Sequence, residues 1–164
     1  MTSTHVVGKL QIDHAEVAHN FRASAYAMIN AYLNQQRIMM DALKMDLTEL
    51  TIFLVVTIAG IQRLVRVPDM PEAYRGFEPL PTALVGLISR RAIAEATGIP
   101  RETVRRTVND LIRRGHLVAA GRQGVTTARG TVQRERTEHV PTLLAIEVHR
   151  MVDELQRLGV LVSA

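Results

Sequence analysis

The chain has 164 residues, 47% of them hydrophobic and 22% charged, with a formal net charge of +4; that composition suits one cored domain, or a small domain with docking helices, and no disordered polymer. The absence of cysteine excludes disulfides, thiolate metal sites and cysteine nucleophiles. With 4% aromatics and no Trp, the core must be aliphatic.

Residues 1–14 read as a loose or strand-like N-terminal tail. The opening MTSTHVVGKLQIDHA lacks a basic start followed by an apolar run, so no secretory signal is expected. From Ala15 to about Met45 there is no Gly or Pro, and Val17, Phe21, Ala25, Met28, Tyr32 and Met39 recur at helical steps. This predicts one long helix, or two with a bend near Gln35. Asp46 and Glu49 then form a D-x-x-E capping signal. It opens a second helix, Leu47 to about Arg66, that is apolar almost all round and is therefore expected to be central. Its longest apolar run, Leu50 to Ile61, falls short of the roughly 20 residues of a bilayer span. No membrane partner and a cytoplasmic location are expected. Residues 15–66 form a block of N-terminal helices for dimerisation and core.

Val67 to Thr82 holds four prolines and one glycine and reads as a loop between two units. Next, ALVGLIS suits a brief strand. RRAIAEATG suits a short helix capped by Ser89 and ended by Gly98. Pro100 lies at or beside the first turn of a further helix reaching Gly115. HLVAA and VTTARGTVQ flank GRQG as two strands around a tight turn. From about Glu138 to Leu158 a last helix carries Leu144, Val148, Met151, Leu155 and Leu158 at steps of 4, 3, 4 and 3, a short heptad seam fit to dock on a partner helix. Residues 137–164 are assigned to this helix, with a dimerisation role.

Charge singles out one stretch. Arg90 to Arg136 holds eleven arginines against four acids, a local +7, while the remainder of the chain is −3. A basic block in a mildly acidic chain points to an anionic partner, and Arg offers forked hydrogen bonds that Lys cannot. Within it, GIPRETVRRTVNDLIRRG carries five arginines. At about 3.6 residues per turn, Val104, Val108, Leu111 and Ile112 share one face, with Glu102, Arg106, Asn109 and Arg113 opposite. Arg113 and Arg114, at the far end, suit backbone phosphates or acceptors at the helix C-terminus. Ala94 is small enough to let two helices touch, Gly98 permits a left-handed turn, Ile99 tucks under it, and Val104 plugs the second helix onto the first. This is helix-turn-helix spacing, and the hairpin after it makes the unit winged. Thr107 stands where such motifs usually carry an aliphatic residue. The expected fold class is mainly α with a small β wing, a winged helix-turn-helix over 83–136 flanked by N- and C-terminal dimerisation helices.

RETVRR, Arg101 to Arg106, resembles the recognition helix of Crp/Fnr-type bacterial regulators over roughly residues 83–120. The resemblance implies that Arg101, Glu102 and Arg106 read bases. The layout of flanking helices is similar to MarR-type regulators, although one C-terminal helix stands where that family usually has two. Candidate DNA-binding residues are Arg101, Glu102, Thr103, Arg105, Arg106 and Asn109, with Arg122 and Gln123 at the wing tip and Arg129 on its returning strand. The expected partners are double-stranded DNA and a second copy of the chain. An unknown small-molecule effector could sit among Tyr26, Met28, Tyr32, Met39, Met40 and Met45, although a dimer or interdomain core accounts for these residues as well. Two alternatives share the fold: a protein-docking adaptor, and a plasmid- or phage-type replication initiator. His14 and His19 lack a third ligand at metal spacing. Ser89 and Thr103 lack a readable His–Asp pairing, and no phosphate loop, dinucleotide fingerprint or nucleophile elbow occurs. No enzyme, cofactor or metal is expected.

Overall fold

The computed structural model describes residues 5–7, 10–66, 70–131, 133 and 137–163. The chain is mainly helical, with a two-stranded and a three-stranded antiparallel sheet. It divides into a terminal unit, 1–39 with 139–164, and a central unit, 40–138. The division falls inside the block 15–66, near the end of its longest helix.

The terminal unit begins with β1 (His5–Val7) and β2 (Leu10–Ile12). Helix α1 (His14–His19) starts where the Asp13 carboxylate accepts hydrogen bonds from the Ala15 and Glu16 amides, at 2.9 and 3.1 Å. Helix α2 (Phe21–Leu43) follows at once. The break between them lies at Asn20, not near Gln35, and its cause is local. The Asn20 side-chain amide donates to Glu16 Oε2 at 3.0 Å and to the Leu158 carbonyl at 3.1 Å, so its backbone leaves helical geometry to serve those bonds. The final helix of the chain (Val140–Arg157) ends at Gly159, and the last strand (Leu161–Ser163) then pairs with β2 to give the order β1-β2-last strand. The segment expected as a loose or strand-like tail is thus tied to the opposite end of the chain, where no strand was expected.

The core of this unit is small. Ala27, Leu155 and Val160 are buried, with Val17, Met151, Leu158 and Leu161 packed on them. The second half of the expected heptad seam is therefore used within the chain, while Val148 stays exposed. Phe21, Tyr26, Ile29, Tyr32 and Leu33 of α2 are each more than half exposed, and Met28 is 46% exposed.

In the central unit, α3 (Leu47–Val65) opens on a complete capping box: Asp46 Oδ1 accepts from the Glu49 amide at 2.8 Å, and Glu49 Oε2 accepts from the Asp46 amide at 3.0 Å. Leu50, Ile52, Phe53 and Val56 are wholly buried against α4 (Arg90–Thr97), α5 (Arg101–Arg113) and the hairpin of β3 (Leu117–Ala119) with β4 (Val125–Thr127). Each such side chain contributes on the order of 1.5–3 kcal/mol. The helix is not buried all round: Leu47, Ile58, Ile61 and Val65 are exposed on its other side. At 19 residues it is long and apolar enough to cross a membrane, a length that its longest uninterrupted apolar run understates. Of that span 28% is buried, on the side that meets α4, α5 and β4.

Numbered in chain order, the helix Val140–Arg157 is α6 and the strand Leu161–Ser163 is β5.

Candidate nucleic-acid interface

Helix α4 is set at both ends by its sequence. Ser89 Oγ accepts from the Ala92 amide at 3.1 Å, and Gly98 closes the helix at φ 71°, its N–H donating to the Ala94 carbonyl at 2.9 Å. A side chain at Gly98 would have to hold a left-handed backbone, which only glycine adopts freely. Two residues later Pro100 precedes α5 in extended geometry, and no side chain caps that helix. The leading N–H groups of α5 thus have no side-chain acceptor and carry the positive end of the helix dipole.

Three residues of α5, Val104, Val108 and Leu111, are completely buried, and Ile93 and Ala94 of α4 meet that side of the unit's core. Ile112 and Thr107 are half-buried. Arg101, Glu102, Thr103, Arg105, Arg106 and Asn109 are all exposed; Glu102, Arg106 and Asn109 lie opposite the buried side, Arg105 and Thr103 on its flanks, and Arg101 at the helix start on the side of Val108. Their electrostatics differ. Arg105 grips Glu102 with two hydrogen bonds, at 2.8 and 2.6 Å. That bond, and less strongly the Arg105 and Arg106 charges, hold the Glu102 carboxyl below the usual carboxylate range; the Arg105 guanidinium is raised in turn. The pair is fully exposed, so water and salt screen it and it can open for another partner. Asn109 Oδ1 accepts from Arg90 Nη2 at 3.1 Å, which ties the start of α4 to the outward face of α5. Arg101 and Arg106 form no hydrogen bond or ion pair among the described residues.

The hairpin follows α5, with β3 packed against that helix and β4 against α3. Leu117 pairs with Thr127, Val118 with Thr126 and Ala119 with Val125. A third backbone joins through an antiparallel bridge between Ile88 and Val125, within the ALVGLIS segment expected as a brief strand. Gly124 makes this approach possible: a Cβ there would meet the Ile88 carbonyl oxygen at 2.5 Å. The connection is a helical turn, Gly121–Gln123, closed by the Ala120 amide donating to the Gly124 carbonyl at 2.8 Å. Gln123 is exposed on that turn. Arg122 lies on it as well, but its side chain is outside the described residues. Arg129 is not on the returning strand: β4 ends at Thr127, the Thr131 amide turns back to the Ala128 carbonyl at 3.1 Å, and Gly130 takes φ 78°. Arg129 is therefore an exposed turn residue.

Sequence reading assigned Arg113 and Arg114 to phosphates or to acceptors at their helix end. Arg113 pairs with Asp110 one turn earlier. Arg114 instead reaches Glu49 and the Lys44 carbonyl, 65 and 70 residues away in the chain. Neither this link nor the one between Arg90 and Asn109 follows from local spacing, since both partners of each depend on how the helices cross. Of the aromatic and methionine group on the first helix, Tyr26, Met28 and Tyr32 are exposed on the terminal unit, whereas Met45 is buried in the central one.

Comparison of the chain with protein-family models, with curated proteins and with solved structures finds no match.

Proposed function

We propose that this protein is a sequence-specific, double-stranded DNA-binding transcriptional regulator that acts as a cytoplasmic homodimer through a winged helix-turn-helix. The observation that carries the reading is the outward face of α5. It carries Glu102, Arg105, Arg106 and Asn109, with Arg101 and Thr103 exposed in the uncapped first turn, on a helix whose other face is held by three wholly buried side chains. Arg matches guanine O6 and N7, Asn matches adenine N6 and N7, and Glu accepts from cytosine N4. A helix N-terminus suits a phosphate. The order α3, Ile88 bridge, α4, α5, β3, β4 supports the winged arrangement, with Gln123 at the tip and Arg129 just beyond β4 in reach of backbone contacts.

The homodimer reading is supported by the terminal unit. By sequence that unit carries five basic and five acidic residues, against a net +4 for the central unit. Six large apolar side chains of α2 are exposed on it. At about 200 Å² for a large side chain, they expose roughly 700 Å², close to the about 800 Å² per partner of a stable interface. A unit without net charge does not repel its own copy. In such a dimer the two α5 helices enter successive major grooves, with half-sites roughly 34 Å apart.

Titration with random duplex DNA at two salt concentrations tests the reading. Binding at low salt that weakens steeply with added salt is expected, because phosphate contacts release counterions. No binding at low salt overturns it in favour of a protein-docking adaptor. Selection from a random DNA pool then distinguishes a palindromic operator from the direct repeats of an initiator.

A further inference from the structure

The central unit contains one long-range clamp that the DNA-reading face does not use. Arg114 is the C-cap of α5. Its Nη1 meets Glu49 Oε1 at 2.5 Å and Asp110 Oδ2 at 3.2 Å, and its Nη2 donates to the Lys44 carbonyl at 2.7 Å. The Arg114 side chain is 32% exposed and that of Glu49 only 18%. One guanidinium is thus enclosed by two carboxylates and a carbonyl, and with Arg113 also on Asp110 the cluster is neutral, its charges already matched within the unit. That sets it apart from Arg101 and Arg106, which have no such partner among the described residues.

Each acceptor has a reason to be there. Lys44 ends α2 with φ 54°, the one non-glycine left-handed residue among those described. The Met45 amide reaches back to the Met40 carbonyl at 3.2 Å, as in a helix ending that ordinarily carries glycine at this place. Such a backbone persists only where surrounding contacts hold it, and Arg114 occupies its carbonyl. Glu49 is already fixed by the capping box: Oε2 takes the Asp46 amide and Oε1 is left for Arg114. The α2–α3 corner is therefore a rigid anchor, and Arg114 fastens the end of α5 to it.

We propose that Arg114 is a positioning residue that sets the angle at which α5 meets DNA, and so ties base reading to the geometry of the α2–α3 corner. This rests on the DNA-binding reading above. Leverage makes the point quantitative. A helix of 13 residues is about 20 Å long, so a tilt of about 5° at Arg114 moves the Arg101 end by roughly 1.7 Å. Base readout tolerates about 0.5 Å. Phosphate contacts, made by flexible side chains to a repeating backbone, tolerate more.

Full-length wild type, R114A, R114K and E49Q are titrated with the duplex enriched from a random pool and with random duplex, at two salt concentrations. Exchange of the Met45 amide and of residues 110–114 is followed without DNA. All three variants should lose about tenfold in the ratio of selected to random binding, with the wild-type salt slope retained and faster exchange at Met45. R114K belongs with the others because an ammonium cannot bridge two acceptors as a planar fork does, and it keeps the test open should R114A not fold. The proposal is overturned if R114A weakens both duplexes equally with a slope shallower by about one, the mark of a lost phosphate contact, while E49Q binds as wild type or tighter. If wild type binds no DNA, the functional reading falls and exchange alone decides the clamp: unchanged exchange in R114A and E49Q refutes it.

Discussion

The two units of this chain solve the problem of burial in opposite ways. The central unit closes its own core: Leu50, Ile52, Phe53, Val56, Ile93, Val104, Val108, Leu111, Leu117 and Val125 are all at or below 1% exposure. The terminal unit buries Ala27, Leu155 and Val160 and leaves Phe21, Tyr26, Ile29, Tyr32 and Leu33 more than half exposed. The difference teaches where each unit's stability comes from. In the unit with the filled core, burial of its own side chains holds the charged face of α5 in place. A unit whose largest side chains lie outside gains its stability when that face is covered.

Substitutions should affect the two units differently, and the largest effect belongs to the filled core. Leu111→Ala should cost about 2–5 kcal/mol of stability, read by denaturant unfolding, and should abolish DNA binding by loosening α5. A loss under about 1 kcal/mol would contradict the tightness of that core. Next comes the exposed face of α2. Ile29→Glu should convert the proposed dimer to monomer in sedimentation and lower affinity for a palindromic duplex by roughly a hundredfold, the avidity of a second half-site. Half-site binding should remain. An unchanged oligomeric state would remove Ile29 from any interface.

Arg106→Ala should cost about 1–3 kcal/mol on the selected duplex and relax specificity at one position per half-site. If the variant bound selected DNA and random DNA each just as wild type does, Arg106 would be removed from the base readers. Asp46→Ala should cost about 1 kcal/mol by opening the capping box of α3, visible as a lower thermal midpoint. The smallest effect is expected for Glu102→Gln. Arg105 lowers the Glu102 pKa, so the pair's small contribution is present above the ordinary carboxylate range and vanishes as pH falls through the lowered value. Midpoints of E102Q and wild type should converge in acid; a gap that widens there would contradict the pairing.

Local features of this fold were legible because local chemistry dictates them. Asp46 and Glu49 announced the start of α3, Ser89 and Gly98 the ends of α4, and the alternation of Val104, Val108 and Leu111 with Glu102, Arg106, Asn109 and Arg113 the two faces of α5. Long-range choices were not legible. Asn20 breaks the first helix partly because it finds the Leu158 carbonyl 138 residues away. The seam on α6 looked free for a partner, yet Met151, Leu155 and Leu158 pack on Ala27 and Val160. The exposed side of α3 could not be read from a sequence that is apolar on nearly every face, since periodicity cannot say which neighbour is present. Arg129 left the hairpin because Gly130 turns the chain, and the clamp of Arg114 on Glu49 and Lys44 needs the crossing of helices that no spacing encodes.

Selection of binding sites from a random duplex pool, run in parallel with wild type and R106A, addresses the central claim most directly. The account predicts that wild type enriches a near-palindrome with half-sites about one helical turn apart, and that R106A loses preference at one symmetric pair of positions within it. A wild-type pool that stays random after repeated selection, with no retention at low salt, would contradict the claim that the outward face of α5 reads DNA.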